Sequence, residues 1–356
     1  MPNLRVLYQK FDGYIHVLSR KMGANNNCKH YYTLRKNQNL PLLRLNKEQK
    51  RAVDKAWNGH VTDYRTHELV LSASGRFDPY VCSETLFRIN IELALNNFQL
   101  KYGFSEKNYF DKMFPQIPMP ETVIRNVNGT YLDKDYRPLT KEQAMALIAN
   151  NDCVIVKPSI ENGCGRGVEL YTSKNYEHIE QDFKHDFIVQ KRLSQYAPIA
   201  ALNASSINVV RVVSLSLNGK VSPVNCTLRC GASGAITDNS ITKDGHGMFV
   251  IGVNEDGTLK KEAFYSCGER ITCAPNGTHF AGMQLPNWEK ALQLTQTIHE
   301  ALPHFGFIAF DVCFDEDGSP RIMEFNIRGP GVLYYQYANG PLFGNRTQEV
   351  IDAFCK

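Results

Sequence analysis

The chain has 356 residues, 43 % of them apolar, and a formal net charge of +4, enough length for a large core in one domain of several lobes or in two domains. That balance is too weakly basic to imply nucleic acid, and no uninterrupted apolar run approaches the ~20 residues of a membrane-crossing helix. Ten cysteines scattered singly, without CxxC pairs, argue against zinc and against a disulfide framework; with no signal-type apolar core after Arg5, the expected compartment is the cytoplasm.

The charge is uneven. Residues 1–60 hold twelve Lys/Arg against three Asp/Glu, which reads as a solvated basic face and leaves open a peripheral contact with an anionic substrate or surface. Residues 1–105 form an N-terminal region, largely helical. A polar loop is expected around Gly23-Ala24-Asn25-Asn26-Asn27. Asn46-Lys47-Glu48-Gln49 then opens a helix with Ala52, Val53 and Ala56 at helical spacing, and a strongly apolar helix follows Pro79, carrying Leu86, Ile89, Ile91, Leu93, Leu95 and Phe98. Residues 106–150 contain a short helix from Tyr109 to Phe114, a passage with Pro115, Pro118 and Pro120, a hairpin at Asn128-Gly129 and a helix from Thr140 to Ala149. Strands then dominate, at 154–157, 168–171, 187–190, 209–217, 221–229 and 248–253, before a helix over 288–302. The class is α+β.

The stretch from Gly306 to Gly331 carries the most chemistry. Residues 307–314 are apolar except for Asp311, residues 321–327 alternate, and the turn formers Asp315-Glu316-Asp317-Gly318-Ser319-Pro320 lie between them, so the segment is a hairpin. If Phe314 faces Arg321, Asp311 falls opposite Glu324, with Asn326 two residues on and on the same face. Two facing carboxylates repel, and three oxygen donors with open positions suit Mg²⁺ shared with phosphate oxygens. An EF-hand is rejected, because its first ligand would be Cys313 and the flanks read as strands.

Upstream, a strand ends in Lys157, a loop holds Gly163, Gly165, Arg166 and Gly167, and another strand follows. Glycines let backbone N–H groups approach phosphate closely and a strand-end lysine supplies fixed charge, although no helix follows as a Walker A or Rossmann loop requires. Residues 187–193 are an apolar strand breaking into a polar linker, an edge on which backbone groups can read an adenine.

In that order, the strand-end lysine, glycine-rich hairpin, hinge strand and late Asp…Glu-x-Asn pair resemble the ATP-grasp fold, in which nucleotide is held between two α+β lobes. Residues 106–120, Ser206-Ile-Asn-Val-Val-Arg-Val212, Thr237-Asp-Asn-Ser240 with Asp244-Gly-His-Gly247, and Gly329-Pro-Gly331 with Gln336 are similar to the sugar-transfer-associated ATP-grasp family. The resemblance implies an ATP-grasp domain over 106–346, with a smaller nucleotide lobe at 106–195 and a larger metal and acceptor lobe at 196–346, followed by a tail at 347–356. It implies ATP and Mg²⁺, with Mn²⁺ as an alternative. Lys107 and Lys157 would meet the phosphates, the loop from Gly163 to Gly167 would close over them, and Gln190, Lys191 and Leu193 would line the adenine. Asp311, Glu324 and Asn326 would hold the metal, with Arg211, Lys157 and Arg328 catalytic. Gln190 stands where the family usually has glutamate, and no carboxylate occurs between Asp186 and Asp238, so the acidic ribose contact is missing from the pattern.

The implied activity is an ATP-dependent carboxylate–amine ligation through an acyl phosphate, in surface-polysaccharide or sugar-linked biosynthesis. Its partners are a small-molecule or sugar-linked carboxylate and an amine. A phosphotransferase on the same fold and a non-catalytic nucleotide-binding module are the alternatives, and a homodimer stays open. The polar segment 237–247 lies between two strands and is too rich in glycine for packed core. Asp238, Asn239, Lys243 and His246 are therefore expected to border the acceptor, with a solvated hairpin loop as the plainer reading.

Overall fold

The computed structural model describes residues 4–160, 167–239, 242 and 245–356, with side chains from residue 15 onward. Its framework is two antiparallel sheets. The smaller has six strands: β1 (Thr122–Val127), β2 (Thr130–Asp133), β3 (Pro138–Leu139), β4 (Cys153–Pro158), β5 (Glu169–Thr172) and β6 (Phe187–Lys191), in the order β3-β2-β1-β6-β4-β5. Asn128 and Gly129 close the β1–β2 turn at φ 49° and 82°, the left-handed pair that a two-residue hairpin requires.

The larger sheet has seven strands: β7 (Val209–Leu217), β8 (Lys220–Cys230), β9 (Phe249–Val253), β10 (Leu259–Tyr265), β11 (Arg270–Ile271), β12 (Phe307–Phe314) and β13 (Pro320–Asn326). Their order is β11-β10-β9-β8-β7-β12-β13. β10 and β11 carry no clear sequence signal, since Lys260, Lys261 and Glu262 break the alternation.

Both faces of the larger sheet are covered, which explains the nearly continuous apolar run of β12. Val210, Val212, Ile308, Phe310 and Val312 pack under the helix Trp288–Glu300. Val213, Leu215, Phe307 and Ala309 pack on the other side against Trp57, Phe87, Phe343 and Ile351. The C-terminal residues are thus built in: the helix Thr347–Phe354 buries Val350 and Ile351, and the carbonyls of Phe354 and Cys355 accept from Asn90 and Asn58.

The expected polar loop at 23–27 is instead the middle of a helix, Leu4–Asn37. Gly23 and three asparagines are poor helix formers, so the helix is held by tertiary contacts. Ala24 and Cys28 are buried, Asn27 donates to Glu84, Arg20 pairs with the fully buried Glu92, and Arg35 donates to the carbonyls of Cys267, Pro41 and Ser72. Elsewhere the local rules hold: Asn46 and Gln49 form a reciprocal capping box on Lys47–Ala56, and Thr140 and Gln143 do the same on Lys141–Ala149. The apolar helix after Pro79 runs from Glu84 to Leu95, with a π-helical turn at Phe87–Ile91. Among the described residues no helix is long and apolar enough to cross a membrane.

Candidate functional site

A cavity of about 870 Å³ lies between the sheets, lined by β4, β5, the segment 190–195, β7, β8, β12, β13 and the loop 328–335. Strand parity decides which side chains enter it. Arg211 pairs with Thr227 and with Asp311 across the two flanking ladders, and odd-numbered residues of β12 share one face. Phe307 and Ala309 on that face are core; Asp311, further along, reaches the cavity.

The β12–β13 register differs in detail from the one expected and arrives at the same pair. Phe314 faces Pro320 and not Arg321, Val312 faces Ile322, and a bulge at Met323 then shifts the ladder so that Asp311 stands opposite Glu324. An extra residue in one strand re-aims the next side chain, so the facing of Asp311 and Glu324 depends on this bulge. Asn326 donates to Asp311 at 3.3 Å and to Glu324 at 3.4 Å.

Two guanidinium groups relieve the repulsion between these acids. Arg211 is bidentate on Asp311 at 2.7 and 2.6 Å, and Arg229 donates to the same carboxylate at 3.2 Å while pairing with Asp238. Burial pushes the Asp311 carboxyl up, and the charges of Arg211 and Arg229 outweigh it, leaving Asp311 below the ordinary carboxylate range. For Asp238 burial prevails over Arg229 and the shift is upward. Burial pulls Arg211 down, but Asp311 outweighs it, so the guanidinium stays charged. Arg229 escaped the sequence reading, although it sits as Arg211 does, a lone arginine in an apolar strand.

On the opposite wall, Lys157 is next to last in β4 and is buried. Desolvation lowers its ammonium to about 8, with Glu324 opposing the shift and Lys107 adding to it. Lys107 opens a 3₁₀ turn, Lys107–Tyr109, and its Nζ lies 3.8 Å from Glu324. The turn is tied to the smaller sheet: Lys107 N–H donates to Ser159 O, Asn108 donates to Asn126 O, and the buried Arg125 donates to Asn108 O. Gln190 and Leu193 line the cavity, with the Gln190 amide donating to Pro120 O. The Lys191 ammonium turns toward Glu121 at 2.7 Å, a carboxylate beside the hinge that comes from another segment of the chain. Gly163, Gly165 and Arg166 lie outside the described residues, and Gly167 precedes β5 at φ 69°.

Not all expected acceptor residues gather here. Asp238 and Asn239 line the cavity and Arg328 stands exposed at its edge, whereas Lys243 lies outside the described residues. His246 pairs with Glu269 at 2.5 Å and meets the Tyr265 ring edge-on, and it is absent from the lining. In its place the N-terminal helix contributes Asn27, His30 and Tyr31. No local signal marks these three, because the helix itself is a product of packing.

An oxygen-only set of Asp311, Glu324 and Asn326 is the donor chemistry of a hard divalent cation, so these residues fit one. Both oxygens of Asp311 already meet guanidinium groups. Glu324, 28 % exposed beside Lys107, is the more open donor.

The sequence profile of the family described as sugar-transfer associated ATP-grasp matches residues 86–352. The chain belongs to that family. No curated protein sequence matches it. Among solved structures it is similar to the L-amino acid ligase of Bacillus licheniformis (14 % identity, TM-score 0.39, covering 71 % of this chain and 48 % of that one). It is also similar to the VanG D-Ala:D-Ser ligase of Enterococcus faecalis (16 %, 0.42, 74 % and 61 %) and to the D-alanyl-alanine synthetase A of Vibrio cholerae (13 %, 0.40, 70 % and 64 %). The chain spans about half to two thirds of the length of these structures. The fold is the ATP-grasp fold, α+β, with an added N-terminal helical region.

Proposed function

We propose that this protein is an ATP-dependent carboxylate–amine ligase working on a small or sugar-linked carboxylate. The observation that carries the reading is the convergence, in one cavity between the two sheets, of two lysines, two arginines and three oxygen-bearing side chains. The description of the family as sugar-transfer associated supports a sugar-linked substrate.

ATP enters with its base against Gln190, the Lys191 backbone and Leu193, and its phosphates toward Lys107 and Lys157, under the loop with Gly163, Gly165, Arg166 and Gly167. Asp311, Glu324 and Asn326 would hold Mg²⁺, which would supply positive charge to the phosphate oxygens. A substrate carboxylate oxygen attacks the γ-phosphorus, the bond to the ADP oxygen breaks, and an acyl phosphate forms. The amine nitrogen then attacks the acyl carbon, inorganic phosphate leaves and the amine loses a proton. Arg211, held rigidly by Asp311, and Arg328 face the charge that develops on the phosphoryl and acyl oxygens, where one well-placed donor contributes ~3 kcal/mol. Asp238 and Asn239 border the acceptor. The chain needs no covalent nucleophile for these steps.

The test is ADP release across a panel of uronic acids and amino acids, with and without amines. A ligase forms amide, and turns over repeatedly, only when both substrates are present. A stable phosphorylated product that accumulates over many turnovers without amine would establish a kinase, and ATP binding without ADP release under any condition would establish a binding module.

A further inference from the structure

The outward side of the N-terminal helix has a chemistry that the active site does not use. Ile15, Leu18 and Met22 recur at spacings of three and four, 48 %, 46 % and 60 % exposed, which places them in one stripe. Val17 adds a further exposed apolar side chain. The buried face of the same helix, with Arg20, Ala24 and Cys28, points the other way, so the stripe faces solvent. Lys29 and Lys36 continue it toward the C-terminal end, both exposed, and Lys21 flanks it. Among the described residues none of these three lysines meets a carboxylate. The charge is one-sided over a long stretch: from Gly13 to Lys47 the sequence has no Asp or Glu, and it has Arg20, Lys21, Lys29, Arg35, Lys36, Arg44 and Lys47.

We propose that this helix docks the enzyme on an anionic phospholipid bilayer, with Ile15, Leu18 and Met22 in the headgroup and acyl boundary and Lys21, Lys29 and Lys36 against lipid phosphates. Apolar area and basic charge on one helix are the combination that binds such a surface, and neither alone suffices. Charge selects this occupant over a second copy of the chain, whose own helix would bring the same uncompensated lysines into the interface. Docking also places the active site. The helix carries Asn27, His30 and Tyr31 into the cavity wall, starting about 8 Å along its axis beyond Met22, so the cleft is held close to the bilayer. Binding is independent of the ligase reading and is measured without turnover.

The full-length protein is mixed with vesicles of phosphatidylcholine containing phosphatidylglycerol, or of phosphatidylcholine alone, and sedimented. The expected result is partition onto the anionic vesicles only, lost in about 0.5 M salt. The triple change Ile15→Asp, Leu18→Asp, Met22→Asp should abolish partition, and Lys29→Glu with Lys36→Glu should lower it roughly tenfold or more. All these sites are exposed, so both variants should keep the native Tm. Light scattering at the same concentrations covers the rival occupant. A dimer that becomes monomeric in the triple variant without any vesicle binding would overturn the proposal, as would partition equal on neutral and anionic vesicles, or unaltered in the triple variant.

Discussion

Lys157 and Glu324 do different work although they face one another across the cavity. Lys157 is buried, and desolvation lowers its ammonium to about 8; in the proposed complex a phosphate beside it would favour the charged form and pull it back up. Nucleotide binding should therefore take up a proton, and affinity should fall as pH rises through about 8, while Lys157→Arg stays flat over that range. Calorimetry in buffers of different ionisation enthalpy measures the uptake, and equal affinity at about pH 7 and pH 9 would place the phosphates elsewhere. Glu324 is partly open, so Glu324→Gln should keep the wild-type Tm and lose at least ~100-fold in ADP release, consistent with the loss of an aimed charge. Arg229 is the structural counterpart. Arg229→Met leaves the buried Asp311 and the half-buried Asp238 with one cation fewer and should cost about 3 kcal/mol in urea unfolding, whatever it does to the rate.

At the scale of elements, the helix Glu84 to Leu95 organises the site without lining much of it. Glu92, fully buried, accepts from the Gly329 N–H at 2.5 Å and pairs with Arg20. Glu84 accepts from Val332 N–H at 3.2 Å and from Asn27. One helix thus pins both the loop 328–332 and the N-terminal helix, two walls of the cavity that are about three hundred residues apart in sequence. Glu92→Ala strands the buried Arg20 and frees the loop. It should cost on the order of 3–5 kcal/mol and expose the N-terminal helix to limited proteolysis before the rest of the chain. Cleavage at the wild-type rate would show that the pair does not hold the helix.

For the whole molecule, acid stability turns on two histidines far from the site. Burial lowers His67 and His299 from 6.5 to about 4; His299 spans Ser214 Oγ at 2.7 Å and the Phe305 carbonyl at 2.8 Å. Between these pH values the unfolded chain binds protons that the folded chain refuses. Their contribution is complete above pH 6.5 and disappears as the pH falls to about 4, roughly 3 kcal/mol for each histidine. Urea midpoints measured across this window should drop steeply, and His299→Gln should flatten part of the slope. A slope unchanged in that variant would remove His299 from the account.

The sequence alone determined what local rules control. Capping boxes at Asn46 and Thr140, the Asn128-Gly129 turn and the apolar runs of β7 and β12 follow from neighbours a few residues apart. So does the facing of Asp311 and Glu324, because a hairpin's register is a short-range matter, although the bulge at Met323 was needed to complete it. The order of the lysine, glycine loop and late acidic hairpin was enough to identify the ATP-grasp fold. Only the tertiary structure decided the rest. It made a helix of Gly23-Ala24-Asn25-Asn26-Asn27 by burying Arg20 and Arg35 against distant partners, and it made the half-buried loop residue Asp238 a partner of Arg229. It also drew His246 to Glu269, away from the cavity. The helix and the His246 pair depend on charges whose partners lie tens or hundreds of residues away, the Arg229–Asp238 pair joins a strand end to a loop, and pairing of either kind leaves no periodic trace in the chain.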